Sequence, residues 1–152
     1  MENFQITLRE LVRCYQAFEQ LSNRHIRTMD LTPAQFDIVA TLGNTQGMSC
    51  SELGEKTLIT KGTLTGVLDR LEAKDIIRRE TTNADRRSLR VFLSPAGEEL
   101  FNRTFNQHLD YIRPFFSELS AQQLTEINRS LAELRSKFQD QTNTILIMSL
   151  AQ

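Results

Sequence analysis

The sequence predicts a mainly α protein with one small β-hairpin wing, an α+β fold. Three observations support this prediction. Apolar residues recur at helical spacing near both ends of the chain, capping sequences mark several helix starts between them, and only residues 77–93 alternate as a pair of strands does. At 152 residues the chain is long enough to build one domain with its own core.

The first predicted helix runs from about Gln5 to Arg24. Apolar side chains recur there at every third or fourth position, which places them on one helical face. The residues of this stripe are Phe4, Leu8, Leu11, Tyr15 and Phe18.

Capping sequences set the starts of the next helices. A Ser or Thr hydroxyl at such a start accepts a hydrogen bond from an amide in the first turn, and a Glu or Gln side chain three residues later can accept one from the backbone amide of the Ser or Thr. These starts are at Thr32, Ser49, Thr60 and Ser120. They predict two short consecutive helices, Ser49–Thr57 and Lys61–Lys74.

A hairpin is predicted directly after these two helices. Apolar and polar side chains alternate along 77–81 and again along 89–93, and residues 83–85 form the turn between them. Ser94 and Pro95 then begin another helix. The tip of this hairpin carries the basic sequence DRRS at 85–88.

Two apolar stripes predict long helices in the C-terminal region. The first consists of Phe101, Phe105, His108, Ile112 and Phe115, and the second of Leu124, Ile127, Leu131, Leu134 and Phe138. Pro114 lies inside the first stripe. Because proline lacks an amide hydrogen and crowds the preceding turn, we expect a kink there.

Composition excludes several classes of protein. Cys14 and Cys50 are the only cysteines, and His25 and His108 lack metal-ligand spacing, so we expect neither a disulfide scaffold nor a metal site. No phosphate loop, nucleophile elbow or pair of catalytic carboxylates is visible, so we expect no enzyme and no cofactor. No signal peptide is visible, and the longest apolar cluster, 145–148, is too short to span a membrane; we therefore expect a cytoplasmic protein.

Charge is unevenly distributed along the chain. The net charge is only −1, yet residues 60–94 carry eight Lys or Arg against five Asp or Glu. The remaining residues include ten Lys or Arg and fourteen Asp or Glu. A basic segment on an acidic body is typical of a localised nucleic-acid interface.

The helix from Lys61 has an unusually bare exposed face. Its apolar residues, Leu64, Val67, Leu68 and Leu71, share one side, and Gly62, Thr65, Gly66, Asp69 and Ala73 lie opposite. Each glycine inside a helix costs roughly 1 kcal/mol relative to alanine. Close approach of the helix backbone to a DNA major groove is one compensation. An ordinary solvated face is the alternative, but the basic hairpin tip that follows favours DNA because arginine suits a narrow minor groove.

Four segments in this order resemble the MarR family of winged helix-turn-helix regulators. They are LTGVLDRLE at 64–72, IIRR at 76–79, DRRS at 85–88 and LSPAG at 93–97. The resemblance covers residues 32–100. It implies a homodimer that binds pseudo-palindromic double-stranded DNA, usually as a repressor, and that a small molecule or an oxidant often releases.

The resemblance also implies an organisation and a set of site residues. Residues 1–31 would form an N-terminal dimerisation helix, 32–97 the winged helix-turn-helix and 98–152 the C-terminal dimerisation helices. The expected DNA-binding residues are Ser49, Thr60, Lys61, Gly62, Thr63, Thr65, Gly66, Arg70, Asp85, Arg86 and Arg87. The expected dimerisation residues are Phe4, Leu8, Leu11, Tyr15, Leu131, Leu134, Phe138, Ile145 and Leu146.

Individual roles follow from the same resemblance. The helix from Lys61 would enter the major groove, Arg70 would hold the phosphate backbone, and Arg87 would enter the minor groove with Asp85 bracing the hairpin. Two positions depart from the family pattern. Asp75 replaces the usual glycine after the helix, where Asp tolerates the left-handed conformation, and Phe92 replaces a smaller polar residue and is expected to pack against a helix.

The effector is less defined by the sequence. In the family a ligand pocket lies between the dimer helices and the DNA-reading domain, so we expect a small effector, with aromatic acids as candidates. A thiol sensor that uses Cys14 or Cys50 is the alternative, although Cys14 lies too close to Thr32 to match the family's peroxide sensors and is better explained as a half-buried packing residue. A winged helix that binds protein instead of DNA would not need the basic hairpin tip.

Overall fold

The structure, a computed structural model, describes residues 2–81 and 89–150, with side chains up to residue 139. Within these ranges the elements are α1 (Asn3–Arg27), α2 (Pro33–Leu42), β1 (Met48–Ser49), α3 (Cys50–Lys56), α4 (Lys61–Ala73), β2 (Ile77–Thr81), β3 (Leu89–Leu93), α5 (Pro95–Ile112), a 3-10 turn (Arg113–Phe116) and α6 (Ala121–Leu150). The chain divides into two compact units, Met1–Ile112 and Arg113–Gln152. The predicted fold class, mainly α with a small antiparallel sheet, is confirmed.

Three of the predicted capping sequences form complete capping boxes. The Thr32 hydroxyl accepts from the Gln35 backbone amide at 3.2 Å, and the Thr32 backbone amide donates to the Gln35 side-chain oxygen at 3.1 Å. The same exchange joins Ser49 to Glu52 and Ser120 to Gln123. Thr60 differs, because its hydroxyl donates to the Thr63 hydroxyl at 3.2 Å and caps no amide.

The sheet has three strands in the order β1-β3-β2, all antiparallel. Sequence analysis found only β2 and β3, because β1 is two residues long and leaves no alternating pattern. It pairs Met48 with Val91. The Phe92 ring packs against Gly47, where an added Cβ would lie 2.5 Å from it, and carries Arg78 over its face at 5.3 Å; its packing against a helix stays a prediction.

One apolar core joins α2, α3, α4 and α5 to strands β2 and β3. Its buried residues are Ile38, Val39, Leu42, Leu53, Leu64, Val67, Leu68, Leu71, Ile77, Val91, Leu93 and Phe101. The apolar face predicted for α4 is therefore confirmed, and its burial fixes which side of the helix faces outward.

Two close contacts set the path from α4 into β2 and α5. Asp75 has φ of +57°, so the left-handed turn expected at this position is confirmed. The Ser94 hydroxyl donates to the Asp75 carbonyl at 2.5 Å. Gly97 lies so close to this turn that an added Cβ would stand 2.0 Å from the Ile76 carbonyl oxygen. These contacts hold the hairpin strands against the end of α4.

The kink expected at Pro114 is replaced by a helix end. The α5 helix stops at Ile112, and Pro114 lies in the 3-10 turn that follows. Proline cannot donate the amide bond that would continue the helix. The α6 helix, in the second unit, is 30 residues long. None of the described helices is both long and apolar enough to cross a membrane.

Candidate nucleic-acid interface and adjoining cleft

The outward face of α4 carries small, polar and basic side chains. Lys61, Gly62, Thr63, Thr65 and Arg70 are exposed, and Gly66 is half-buried. The structure thus leaves every α4 residue that sequence analysis assigned to DNA outside the buried stripe of the helix.

The two glycines of this face have no packing role inside the described chain. A Cβ built at Gly62 or Gly66 meets nothing within 4 Å. Both positions would accept alanine sterically, and alanine favours a helix by roughly 1 kcal/mol relative to glycine. Folding therefore does not explain why this face lacks side chains.

Ser49 and Thr60 begin the two helices instead of projecting from their exposed faces. The Ser49 hydroxyl is used in the α3 capping box, and Ser49 also ends strand β1. The exposed Thr60 hydroxyl is bonded to Thr63. Of the expected DNA-binding residues, Asp85, Arg86 and Arg87 lie outside the described residues.

Three arginines of the hairpin have partners within the protein. Arg79 is mostly buried and forms ion pairs with two carboxylates of α4, those of Asp69 and Glu72. Arg78 pairs with Glu80 at 2.5 Å. Arg90 donates to the Gly47 carbonyl at 2.6 Å. Sequence analysis counted these arginines in the basic segment 60–94; the structure shows that Arg79 pairs with the acidic side chains of α4 and joins α4 to β2.

A cleft of about 400 Å³ is bounded by α1, α2, His108 of α5 and the segment before α4. Apolar side chains form most of its wall, namely Phe18, Ile26, Pro33, Ala34, Phe36, Leu58 and Ile59. Its polar residues are Tyr15, Glu19, Ser22, Asn23, Asp37 and His108. Leu58, which immediately precedes Ile59 and the α4 cap, is 79% exposed. The cleft therefore adjoins the chain segment from which α4 starts.

Two carboxylates contribute negative charge to the cleft. Burial raises the pKa of Asp37, although the Leu58 amide and the Thr41 hydroxyl donate to its carboxylate. The Tyr15 hydroxyl donates to Glu19 at 3.4 Å. Burial and the charges of Glu19 and Asp37 together raise the pKa of Tyr15, so both carboxylates act on one hydroxyl.

His108 of the cleft wall forms a pair with His25. The Nδ1 atoms of His25 and His108 lie 3.0 Å apart, and His108 Nε2 lies 3.1 Å from the Ser22 hydroxyl. Tyr111 stacks on His25 with ring centroids 4.1 Å apart. Burial, and then the charge of His25, lower the pKa of His108. Sequence analysis missed the pair because 83 residues separate its members; only the place of His108 in an apolar stripe indicated burial.

The chain is similar in sequence to known transcriptional regulators. A family model described as the MarR family matches residues 31–89. An HTH-type transcriptional regulator of Bacillus cereus is 31% identical over 127 residues, which cover 84% of this chain and 82% of the relative. The chain belongs to the MarR family. HTH-type transcriptional regulator MhqR of Bacillus subtilis, 29% identical, covers 75% of this chain with 79% of its own length. The family consists of transcriptional regulators and not of enzymes.

Solved structures of the same fold agree with this family. AbsC, a MarR family regulator from Streptomyces coelicolor, aligns with a TM-score of 0.80 at 23% identity, over 92% of this chain and 97% of its own. BpsR of Bordetella bronchiseptica, whose DNA binding is regulated by 6-hydroxynicotinic acid, aligns with a TM-score of 0.72 at 26% identity, over 84% of this chain and 91% of its own. FabT of Streptococcus pneumoniae, in complex with DNA, aligns with a TM-score of 0.72 at 18% identity, over 91% of this chain and 99% of its own.

The expected dimerisation residues of this MarR-family chain leave apolar surface uncovered. Phe4, Leu8 and Tyr15 of α1 are exposed, as are Leu131 and Phe138 of α6. Leu11 and Leu134 are half-buried, and the side chains of Ile145 and Leu146 lie outside the described ones. Tyr15 also lines the cleft, so one residue belongs to both predicted surfaces.

The two cysteines of the MarR-family chain lie in different settings. Cys14, expected to be half-buried, is exposed, because Ser22 and Ile26 are the buried residues of α1. Cys50 is half-buried and packs against the core. Among the described residues, no group of three or more His, Cys, Asp or Glu could hold a metal ion.

Proposed function

We propose that this protein is a homodimeric repressor that inserts α4 into the major groove of a pseudo-palindromic duplex and leaves the DNA when a small ligand binds. The observation that carries the proposal is the outward face of α4, which is bare at two glycines that no internal packing requires. Binding to chromosomal DNA would require the cytoplasmic location expected above.

Each part of the α4 face has a separate task in this proposal. Lys61 at the helix N-terminus and Arg70 further along contact phosphates, which gives affinity without sequence preference. Thr63 and Thr65 reach base edges, where hydroxyl groups donate or accept. Gly62 and Gly66 allow the helix backbone to approach the groove closely.

The hairpin tip supplies a second contact. We assign Arg87, with Arg86 beside it, to the minor groove and Asp85 to bracing the tip, on the strength of the family pattern. A DNA complex of the similar protein FabT supports DNA as the partner.

The proposal requires two copies of the chain. The exposed apolar residues of α1 and α6 are candidates for a shared interface, which we expect to bury more than ~2,000 Å² as in obligate homodimers. Two α4 helices would then meet half-sites about 34 Å apart. Sedimentation at micromolar concentration tests this point, and a monomer would contradict it.

The cleft is the proposed effector site. Leu58 and Ile59 line it and immediately precede α4, so an occupant that moves them changes the spacing of the two α4 helices. By linkage, DNA and the ligand then weaken each other's binding by the same factor. The regulation of DNA binding in BpsR by 6-hydroxynicotinic acid supports a small effector.

A thiol sensor is the second candidate, because Cys14 is exposed. The double variant Cys14→Ser, Cys50→Ser separates the two. Release of DNA by oxidant in the wild type that is lost in the double variant would support thiol sensing, whereas release by a small ligand in both proteins would support the cleft.

The DNA-binding proposal is tested with a duplex selected from random sequence and a scrambled duplex of equal length. Lys61→Ala should weaken binding to both by about tenfold, and Thr65→Ala should weaken mainly the selected one. Lys74→Ala is the matched control, since this exposed lysine lies at the other end of α4, roughly 20 Å along the axis. Equal effects of Lys61→Ala and Lys74→Ala would contradict the proposed orientation.

A further inference from the structure

The charge of the cleft indicates the chemical class of its ligand. Apolar and aromatic walls with a few converging polar groups are typical of small-molecule sites, and about 400 Å³ is enough for one aromatic ring and a polar substituent. The polar groups that would orient such a molecule are Asp37, Glu19 and Tyr15. Two of these three are carboxylates.

No basic side chain balances these carboxylates within the described residues. The cleft lining includes no Lys or Arg there, and none of the ion pairs among described side chains involves Glu19 or Asp37. A carboxylate that is partly withdrawn from water without a cationic partner carries a desolvation cost. Asp37 shows that cost as a raised pKa.

The histidine of the cleft does not supply the missing positive charge. Both ring nitrogens of His108 are engaged, one with Ser22 and the other with His25. Burial and the charge of His25 lower the pKa of His108, which favours the neutral form of its ring. An anionic ligand would therefore meet two carboxylates and no fixed cation on the described walls.

We propose that the cleft takes a small organic cation, a planar aromatic body that carries an amidinium or ammonium group, with the cationic group between Asp37 and Glu19. Their carboxylates accept hydrogen bonds from the ligand N–H groups, and the aromatic body lies against the apolar wall. The inference deepens the proposed effector site and rests on it. It also separates this chain from BpsR, whose regulator 6-hydroxynicotinic acid is an acid.

Three ligands of nearly identical shape test the proposal. Benzamidine is cationic, benzamide neutral and benzoate anionic at pH 7, so calorimetry on the full-length protein without DNA isolates the effect of charge. We expect benzamidine to bind at least about tenfold more tightly than benzamide, the scale of one partly buried charge pair. Benzoate should bind more weakly than benzamide.

Asp37→Asn keeps the shape of the side chain and removes its charge. It should weaken benzamidine binding by about tenfold and leave benzamide binding unchanged. Glu10→Gln is the matched control, because Glu10 lies nine residues before Glu19 on the opposite face of α1. That variant should bind all three ligands as the wild type does.

The outcomes separate this inference from the proposed function. Equal or tighter binding of benzoate, or absence of benzamidine binding at millimolar concentration, would overturn the cationic class. Binding of the same preparation to its selected duplex would show in that case that the DNA-binding proposal stands. Benzamidine binding that depends on Asp37, in a protein that binds no duplex, would support the cleft and overturn the DNA-binding proposal.

Discussion

The outward face of α4 and the cleft beside α1 treat charge in opposite ways. On α4 the carboxylates of Asp69 and Glu72 are paired with Arg79, and Lys61 and Arg70 remain exposed. In the cleft the carboxylates have no basic partner among the described side chains. This difference agrees with the proposals that the α4 face binds a polyanion and the cleft a cation.

The two surfaces also share a property. Each keeps a feature that folding alone disfavours: Gly66 inside the α4 helix, and the partly buried carboxylate of Asp37 in the cleft. Natural proteins depart from locally favourable choices mostly at functional sites. Substitutions at Gly66 and Asp37 should therefore change stability and binding in opposite directions.

The largest effect on duplex affinity is expected when the carboxylates of α4 lose their basic partner, as those of the cleft have none among the described side chains. Arg79→Ala leaves Asp69 and Glu72 unpaired beside the proposed DNA surface, so affinity for a duplex should fall by more than about tenfold through like-charge repulsion. Fluorescence anisotropy of a labelled duplex measures this. Adding Asp69→Asn to Arg79→Ala should restore part of the affinity, and failure of both effects would show that the pairing has no electrostatic role in DNA binding.

A smaller loss is expected at the hairpin tip. Arg87→Ala should weaken duplex binding severalfold and lower the slope of log affinity against log salt by about 0.9, the contribution of one phosphate neutralised. Urea unfolding should be unchanged. A salt slope equal to that of the wild type would show that Arg87 does not contact DNA.

Asp37→Asn tests the cost of charge in the cleft. Because the folded-state pKa of Asp37 is raised, ionisation destabilises the fold, and stability is lost as the pH rises through that pKa. The variant should be more stable than the wild type at pH 7 by about 0.5 kcal/mol, the scale of substitutions at partly exposed sites. Urea titrations should show this difference vanish below the ordinary pKa of Asp; a less stable variant at pH 7 would contradict the account.

The histidine pair should give the smallest effect. The pKa of His108 is lowered in the folded state, so the unfolded chain binds more protons below its ordinary value of 6.5. Stability should then fall as the pH drops through 6.5, by roughly a few tenths of a kcal/mol. His108→Gln should flatten this dependence, while His25→Gln, which removes one of the two causes, should reduce it. If stability changes with pH in the same way in all three proteins, groups other than His108 cause the pH dependence.

Sequence analysis predicted the fold because its signals were local. Capping boxes at Thr32, Ser49 and Ser120 and the apolar face of α4 each occupy a few consecutive residues. It missed the two-residue strand β1, which only its pairing with β3 defines.

The cleft could not be predicted for a related reason. The lining residues Glu19, Asp37 and His108 come from three separate helices, and no spacing in the sequence relates them. The pairing of Arg79 with α4 was missed too, because the sequence showed Arg79 only as part of the basic segment 60–94. Contacts between distant segments decide both cases.

The central claim, that α4 meets DNA closely at its bare face, is tested most directly by Gly66→Ala with stability and duplex affinity measured on the same protein. We expect the free energy of unfolding to rise by about 1 kcal/mol and duplex affinity to fall by at least about tenfold. Gly54→Ala is the control, since its added Cβ would make only an ordinary contact, 3.9 Å from Leu64, and duplex affinity should stay unchanged. A Gly66→Ala protein that is more stable and binds the duplex as tightly as the wild type would contradict the account.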